Sequence, residues 1–150
     1  MTSGLATASR ACESTPAARA ARAARGAPVT PAAIARVRAL CLALPEAHEV
    51  EAWGEATFRV RNRIFVSIAS AGSHHGRGRV AIWCHASAEN QRLLVESDPD
   101  RYFVPPYVGV RGWVGIWLDG RVRWTAVRDV VHDAYRRVAP KRLVRTLDER

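Results

Sequence analysis

Residues 53–68, WGEATFRVRNRIFVSI, constrain the fold more than any other stretch of this chain. Phe58 and Val60 alternate with Arg59 and Arg61, the period-2 pattern of a half-buried strand, and Ile64, Val66 and Ile68 resume the apolar series beyond Asn62. Two strands and one turn follow, with an apolar face for a core and arginines on the other side. A three-residue loop Arg61-Asn62-Arg63 sets Val60 opposite Ile64 and keeps all five apolar positions on one face. A two-residue Arg61-Asn62 turn, with Asn62 at positive φ, instead pairs Val60 with Arg63 and turns Phe65 inward. Apolar continuity of a buried face favours the first.

The flanking chain supplies covers for that face. Thr30 is placed to cap and Pro31 to open a helix over 31–44, whose stripe is Ile34, Val37, Leu40, Cys41 and Leu44; Pro45 ends it. On that stripe Cys41 reads as a packed thiol. Ser87 caps a second helix to about residue 97 that buries Leu93 and Leu94, and Asp98-Pro99 begins a short helical turn. Residues 124–138 form the final long helix, with Val127, Val130, Val131, Ala134 and Val138 inward and Arg128, Asp129, His132, Asp133, Arg136 and Arg137 outward. Residues 141–147 add one more turn. Strands are expected at 79–85, with Val80, Ile82 and Cys84 on one face, and at 110–118, with Val114, Ile116 and Leu118 on one face.

Each strand therefore gives aliphatic residues to one side and Arg or Trp to the other: Arg59; Arg79 and Trp83; Arg111, Trp113 and Trp117. An antiparallel sheet covered by helices on one face only, an α+β fold, presents the second set together. Arginines neutralise phosphates and release counterions, and exposed indoles stack on unpaired bases. The competing arrangement, slightly favoured, buries the tryptophans in a second small core under the loop 102–107.

Charge bears on which partner suits such a face. The 150 residues carry a formal charge of +9, nearly all of the cations being arginine. That favours a polyanionic partner or an acidic surface without identifying it. Residues 1–28 form an Ala/Arg-rich basic tail with Glu13 as its one acid, read as a solvated segment; a transit peptide and a nucleic-acid arm share its composition. Residues 29–150 form the domain.

Catalytic and metal signals are weak. Cys12, Cys41 and Cys84 are widely spaced, which argues against disulfides and structural zinc and for a reducing, cytoplasmic location. His74-His75 sits in a Gly-rich loop without a carboxylate or cysteine at ligand spacing. Gly109, Gly112 and Gly115 precede no helix, so no phosphate loop is indicated. His132 between Asp129 and Asp133 reads as part of a surface ion-pair network. No catalytic residue, metal or cofactor is expected, and no apolar run approaches a membrane span.

Several blocks in order resemble the MmcQ/YjbR-like proteins. They are Leu44-Pro45-Glu46; Trp53-Gly54 followed by Thr57-Phe58-Arg59-Val60-Arg61; Asp98-Pro99 with Phe103; Gly112-Trp113-Val114; and Ala134-Tyr135-Arg136 with Ala139-Pro140-Lys141-Arg142-Leu143. The resemblance covers about residues 29–147. It implies a CyaY-like (frataxin-like) α+β sandwich and DNA binding by a double-wing arrangement of hairpins, with Arg59, Arg61 and Arg63 as the basic motif. It supplies no catalytic residues, and the first helix lacks the acidic ridge that iron handling requires. Arg123 departs from the family pattern, standing where relatives commonly place an acidic helix cap, which weakens the start of the last helix.

The expectation is a small non-enzymatic DNA-binding protein. Its contacts come from Arg59, Arg61, Arg63, Arg77, Arg79, Arg111 and Trp113. The alternative is a protein-interaction module anchored by Trp113 and Trp117 or by the last helix.

Overall fold

The computed structural model describes residues 29–70 and 78–150. The basic tail and the His74-His75 loop lie outside the described residues, as does Arg77. Among the described residues, six strands form one antiparallel sheet: β1 (His48–Ala52), β2 (Glu55–Val60), β3 (Arg63–Ala69), β4 (Ala81–Cys84), β5 (Tyr102–Phe103) and β6 (Val114–Trp117). Their spatial order is β1-β2-β3-β4-β6-β5, so only the β6 position departs from sequence order.

Register separates two faces. On one, Phe58 faces Val66, Val66 faces Cys84, and Cys84 faces Val114, while Ile68, Ile82, Ile116 and Tyr102 make a parallel row. All eight are buried. Helices α1 (Val29–Leu42) and α3 (Trp124–Val138) close over this face, through Ala33, Val37, Cys41 and Leu44 from the first segment and Val127, Val131, Ala134, Tyr135 and Val138 from the other. Burial of this much aliphatic surface is the main favourable term in the fold. It also pushes both the Cys41 and Cys84 thiols up in pKa, which keeps them protonated and inert.

The β2–β3 connection is the two-residue turn, not the favoured three-residue loop. Arg61 and Asn62 have φ of 51° and 62°, a pattern that fits a type I′ turn, and Val60 pairs with Arg63. Apolar continuity favours the three-residue loop only while alternation along β3 is unbroken. A bulge between Phe58 and Arg59 breaks it: Phe65 is the extra residue, and both Phe65 and Val66 are fully buried. The tight turn and the apolar face are thus compatible.

Other boundaries moved for local reasons. Helix α1 begins at Val29, so Thr30 lies inside it, and it ends at Leu42. β6 starts at Val114, because Gly109–Arg111 winds into a 3₁₀ turn and Gly112 takes φ 92°. Arg111 therefore leaves the sheet. After Asp98-Pro99 the chain makes a turn into β5, which pairs along β6. Helix α2 (Ala88–Ser97) is capped by Ser87, whose Oγ accepts from the Asn90 amide at 3.0 Å, but only Leu94 of the expected pair packs inward; Leu93 is half exposed. Helix α4 (Lys141–Asp148) extends the single turn foreseen there.

Helix α3 spans the expected residues and starts at Arg123 without a side-chain cap. Its first turn holds no acid either. Since Arg123 already has extended backbone, Arg123→Asp should accept the exposed amides and oppose the helix dipole favourably, adding about 1 kcal/mol. Thermal unfolding should show a midpoint a few degrees higher; a lower midpoint would mean that the arginine has a stabilising contact of its own.

Candidate functional site

The second face of the sheet is open and concave. Its rows begin Thr57–Ser67–Trp83–Gly115 and Ala69–Ala81–Trp117, small side chains alternating with indoles. Over it stand the β1–β2 turn, the β2–β3 turn and the loop 104–113, enclosing a groove of about 1090 Å³ lined among others by Trp53, Arg59, Arg63, Tyr107, Arg111 and Trp113. Apolar walls with three convergent guanidiniums and one carboxylate, Glu55, which accepts from Ser70, are the chemistry of a binding site.

Arg59 is held in the groove by neutral groups. Thr57 is buried, donates from Oγ1 to the Val50 carbonyl at 2.6 Å, and accepts from Arg59 Nε at 3.1 Å; Asn62 Oδ1 accepts from the far end of the guanidinium at 3.2 Å. The side chain is oriented without losing its charge. Arg63 and Arg111 are exposed on two other walls, and among the described residues no carboxylate lies within 4 Å of any of the three.

Two expected contacts are already committed within the fold. Arg61 pairs with Glu46 at 3.1 Å, and Arg142 reaches the same carboxylate at 3.4 Å. Arg79 grips Asp119 through two bonds of 2.6 and 2.8 Å and lies 4.0 Å over the Trp117 ring. The bonds from Arg79 hold the Asp119 carboxyl below the usual carboxylate range. The Arg61 pair is half exposed and its carboxylate is shared with Arg142, while bidentate geometry makes Arg79 hard to release.

The tryptophans divide as the second-core arrangement implies. Trp113 is buried, its ring 5.2 Å from that of His85. Trp117 is half-buried with Phe103 stacked on it at 4.2 Å. Gly115 makes that stack possible, since a Cβ there would stand 2.2 Å from the Phe103 ring. Trp113 is closed off, and Trp117 offers only the surface that Phe103 and Arg79 leave uncovered. Burial and the nearby guanidiniums of Arg137 and Arg63 push the His85 imidazole down, so near neutral pH the groove's positive charge is that of its arginines. His132 is pushed down too, by burial and by Arg128 and Arg136, while the neighbouring Asp129 pairs with Arg128.

The loop bearing Arg111 is fastened from below. Gln91 Nε2 donates to the Gly109 and Trp113 carbonyls at 2.8 and 2.6 Å. Gly112 packs directly on the backbone of residues 86–88. Among the described residues, no group of three or more His, Cys, Asp or Glu is gathered to hold a metal, and no helix is long and apolar enough to cross a membrane.

A family model described as YjbR matches residues 42–137, well over half of the chain. The chain belongs to the YjbR family. The match begins at the end of α1 and stops inside α3, so the Ala139-Pro140-Lys141-Arg142-Leu143 block falls beyond it. Among solved structures, the crystal structure of Deinococcus radiodurans protein DR2400, described as having a DUF419 domain, superposes with a TM-score of 0.62. The two are 17% identical, and the alignment covers 77% of this chain and 87% of that one; at such identity the likeness is one of fold. No curated protein matches.

The groove of this YjbR-family chain includes residues that sequence patterning did not assign to a site. Trp53 appeared only as part of a family block, yet it projects from the β1–β2 turn with 93% of its surface exposed. The signal was available. Glu49 and Glu51 alternate with Val50 and Ala52 directly before Trp53-Gly54, which is a strand pattern followed by a two-residue turn. Asn62 was legible only as a turn residue, and Tyr107 gave no such signal.

Proposed function

We propose that this protein binds DNA without acting on it chemically, and that the phosphates meet Arg59, Arg63 and Arg111 around the open-face groove. The supporting observation is that these three guanidiniums, from three elements, line one concavity without a carboxylate partner among the described residues. The high net positive charge supplies a field that draws a polyanion toward it. Arg61 and Arg79 stand apart from this set because binding through them first requires breaking an internal ion pair.

Arg59→Ala/Arg63→Ala/Arg111→Ala tests the assignment by fluorescence anisotropy across a salt series. Each phosphate contact contributes about 0.9 to the slope of log affinity against log salt on duplex DNA, so the triple variant should lose about 2.7 from the slope. A companion Arg61→Ala/Arg79→Ala variant should change the slope little. The reverse ranking would move the interface to the ion-paired arginines Arg61 and Arg79, and an unchanged slope in the triple variant would remove the groove from phosphate binding.

A further inference from the structure

We infer that the open-face groove takes an unpaired nucleic-acid strand in preference to a duplex, with Trp53 as the platform for a base. This rests on the DNA-binding reading above and specifies the form of its ligand.

The first observation is Trp53 itself. With Gly54 it occupies a turn in which both central residues have positive φ, 54° and 79°. Such turns select Asn, Asp or Gly at the first position, because a Cβ in the left-handed region crowds the following carbonyl. A bulky residue there is an outlier, and strain of this kind gathers at ligand-contacting positions. Trp53 gains no packing in return, since nearly all of its surface faces solvent. A large flat ring held out on a tight turn at the rim of a cationic groove is suited to stacking.

The second observation is the shape beneath it. Thr57, Ser67 and Ala69 line the groove with short side chains, alongside the guanidiniums of Arg59, Arg63 and Arg111. β2, whose six residues extend about 17 Å, lines the groove through Glu55, Thr57 and Arg59. Along that length Trp53 lies at one end and Arg63 at the other, so a strand lying in the groove sets bases against the indole and phosphates against the guanidiniums. In a duplex the base faces are already covered by their neighbours in the stack. A duplex can therefore meet the rim arginines, but its bases cannot reach the Trp53 ring without unstacking.

The experiment uses the full chain and its Trp53→Ala variant, titrated against an oligothymidylate of about 12 nucleotides and against a hairpin duplex of similar length. The exposed position of Trp53 lets the variant fold, and circular dichroism checks that it has. Parent protein should favour the single strand, and the variant should lose about 5- to 100-fold in single-strand affinity while duplex affinity changes less than about twofold. The basic tail is common to both proteins, so the variant-to-parent ratio on each DNA isolates the indole. Equal single-strand and duplex affinity, or equal losses on both, overturns the single-strand assignment and leaves DNA binding standing if the arginine-dependent salt slope persists. No binding to either form overturns both. Thymidine monophosphate added as competitor separates strand recognition from nucleotide binding: displacement of the oligonucleotide at equal concentration would overturn the strand assignment in favour of a free nucleotide.

Discussion

Gly112→Ala should lower the stability of the fold by about 2–5 kcal/mol, one of the two largest losses expected from a single substitution here. Two costs combine. At φ 92° an L side chain is strained wherever it points, which accounts for about 1–2 kcal/mol. A Cβ would also stand 2.6 Å from the Ala88 amide nitrogen, 2.8 Å from the Ser87 carbonyl carbon and 3.1 Å from the Ala86 oxygen. These are backbone atoms at the start of α2, fixed by the Ser87 cap, and they cannot swing aside as a side-chain tip does. Gly120→Ala provides the control, because Gly120 has φ 72° with nothing within 4 Å of its Cβ position and bears the conformational cost alone. Chemical denaturation of both variants should separate the two terms. Equal losses would mean that the strand-to-helix junction yields easily.

A functional consequence follows from position. Gly112 directly succeeds Arg111, and its close approach to α2, with the Gln91 bonds to Gly109 and Trp113, sets the height of the loop over the groove. If Gly112→Ala is tolerated at all, the loop must lift. Arg111 then moves away from Arg59 and Arg63.

What the sequence made legible depended on whether local pattern and tertiary context agreed. Helix α3 was readable to its ends because its apolar stripe, the preceding Asp119-Gly120 turn and the following Pro140 all point to one element. The two sheet faces were readable because alternation survives in β4 and β6. The β2–β3 register was not, since a bulge lets successive residues Phe65 and Val66 share the core and so erases the period that register inference uses. β5 has only two residues and owes its strand character to β6. For the site, arginine positions were legible and their availability was not. Arg61 is neutralised by a glutamate 15 residues away and Arg79 by an aspartate 40 residues away, and charge patterning along the chain does not register such pairs. Among the described residues, Arg59, Arg63 and Arg111 are distinguished from those two by what surrounds them in space.

The second large effect belongs to Tyr135, which ties the last long helix to the corner after α1. The ring is fully buried, meets Phe65 edge-on at 5.6 Å, and the hydroxyl donates to the Pro45 carbonyl at 2.7 Å. Tyr135→Ala should cost about 3–5 kcal/mol by leaving a cavity beneath the bulge. Tyr135→Phe keeps the ring and should cost about 1–2 kcal/mol, because the Pro45 carbonyl loses its donor. The milder variant also reaches the opposite side of the hairpin. Pro45 precedes Glu46, whose φ of 57° turns its carboxylate toward Arg61 and Arg142. Loosening that corner frees Arg61 from its partner and adds a fourth available cation near the hairpin tip. Denaturation of the two variants measures the cavity and hydrogen-bond terms, and the salt slope of DNA binding measures the release. A steeper slope in Tyr135→Phe than in the parent is the expected result. A slope unchanged alongside the predicted stability loss would show that Glu46 holds Arg61 without help from the buried tyrosine.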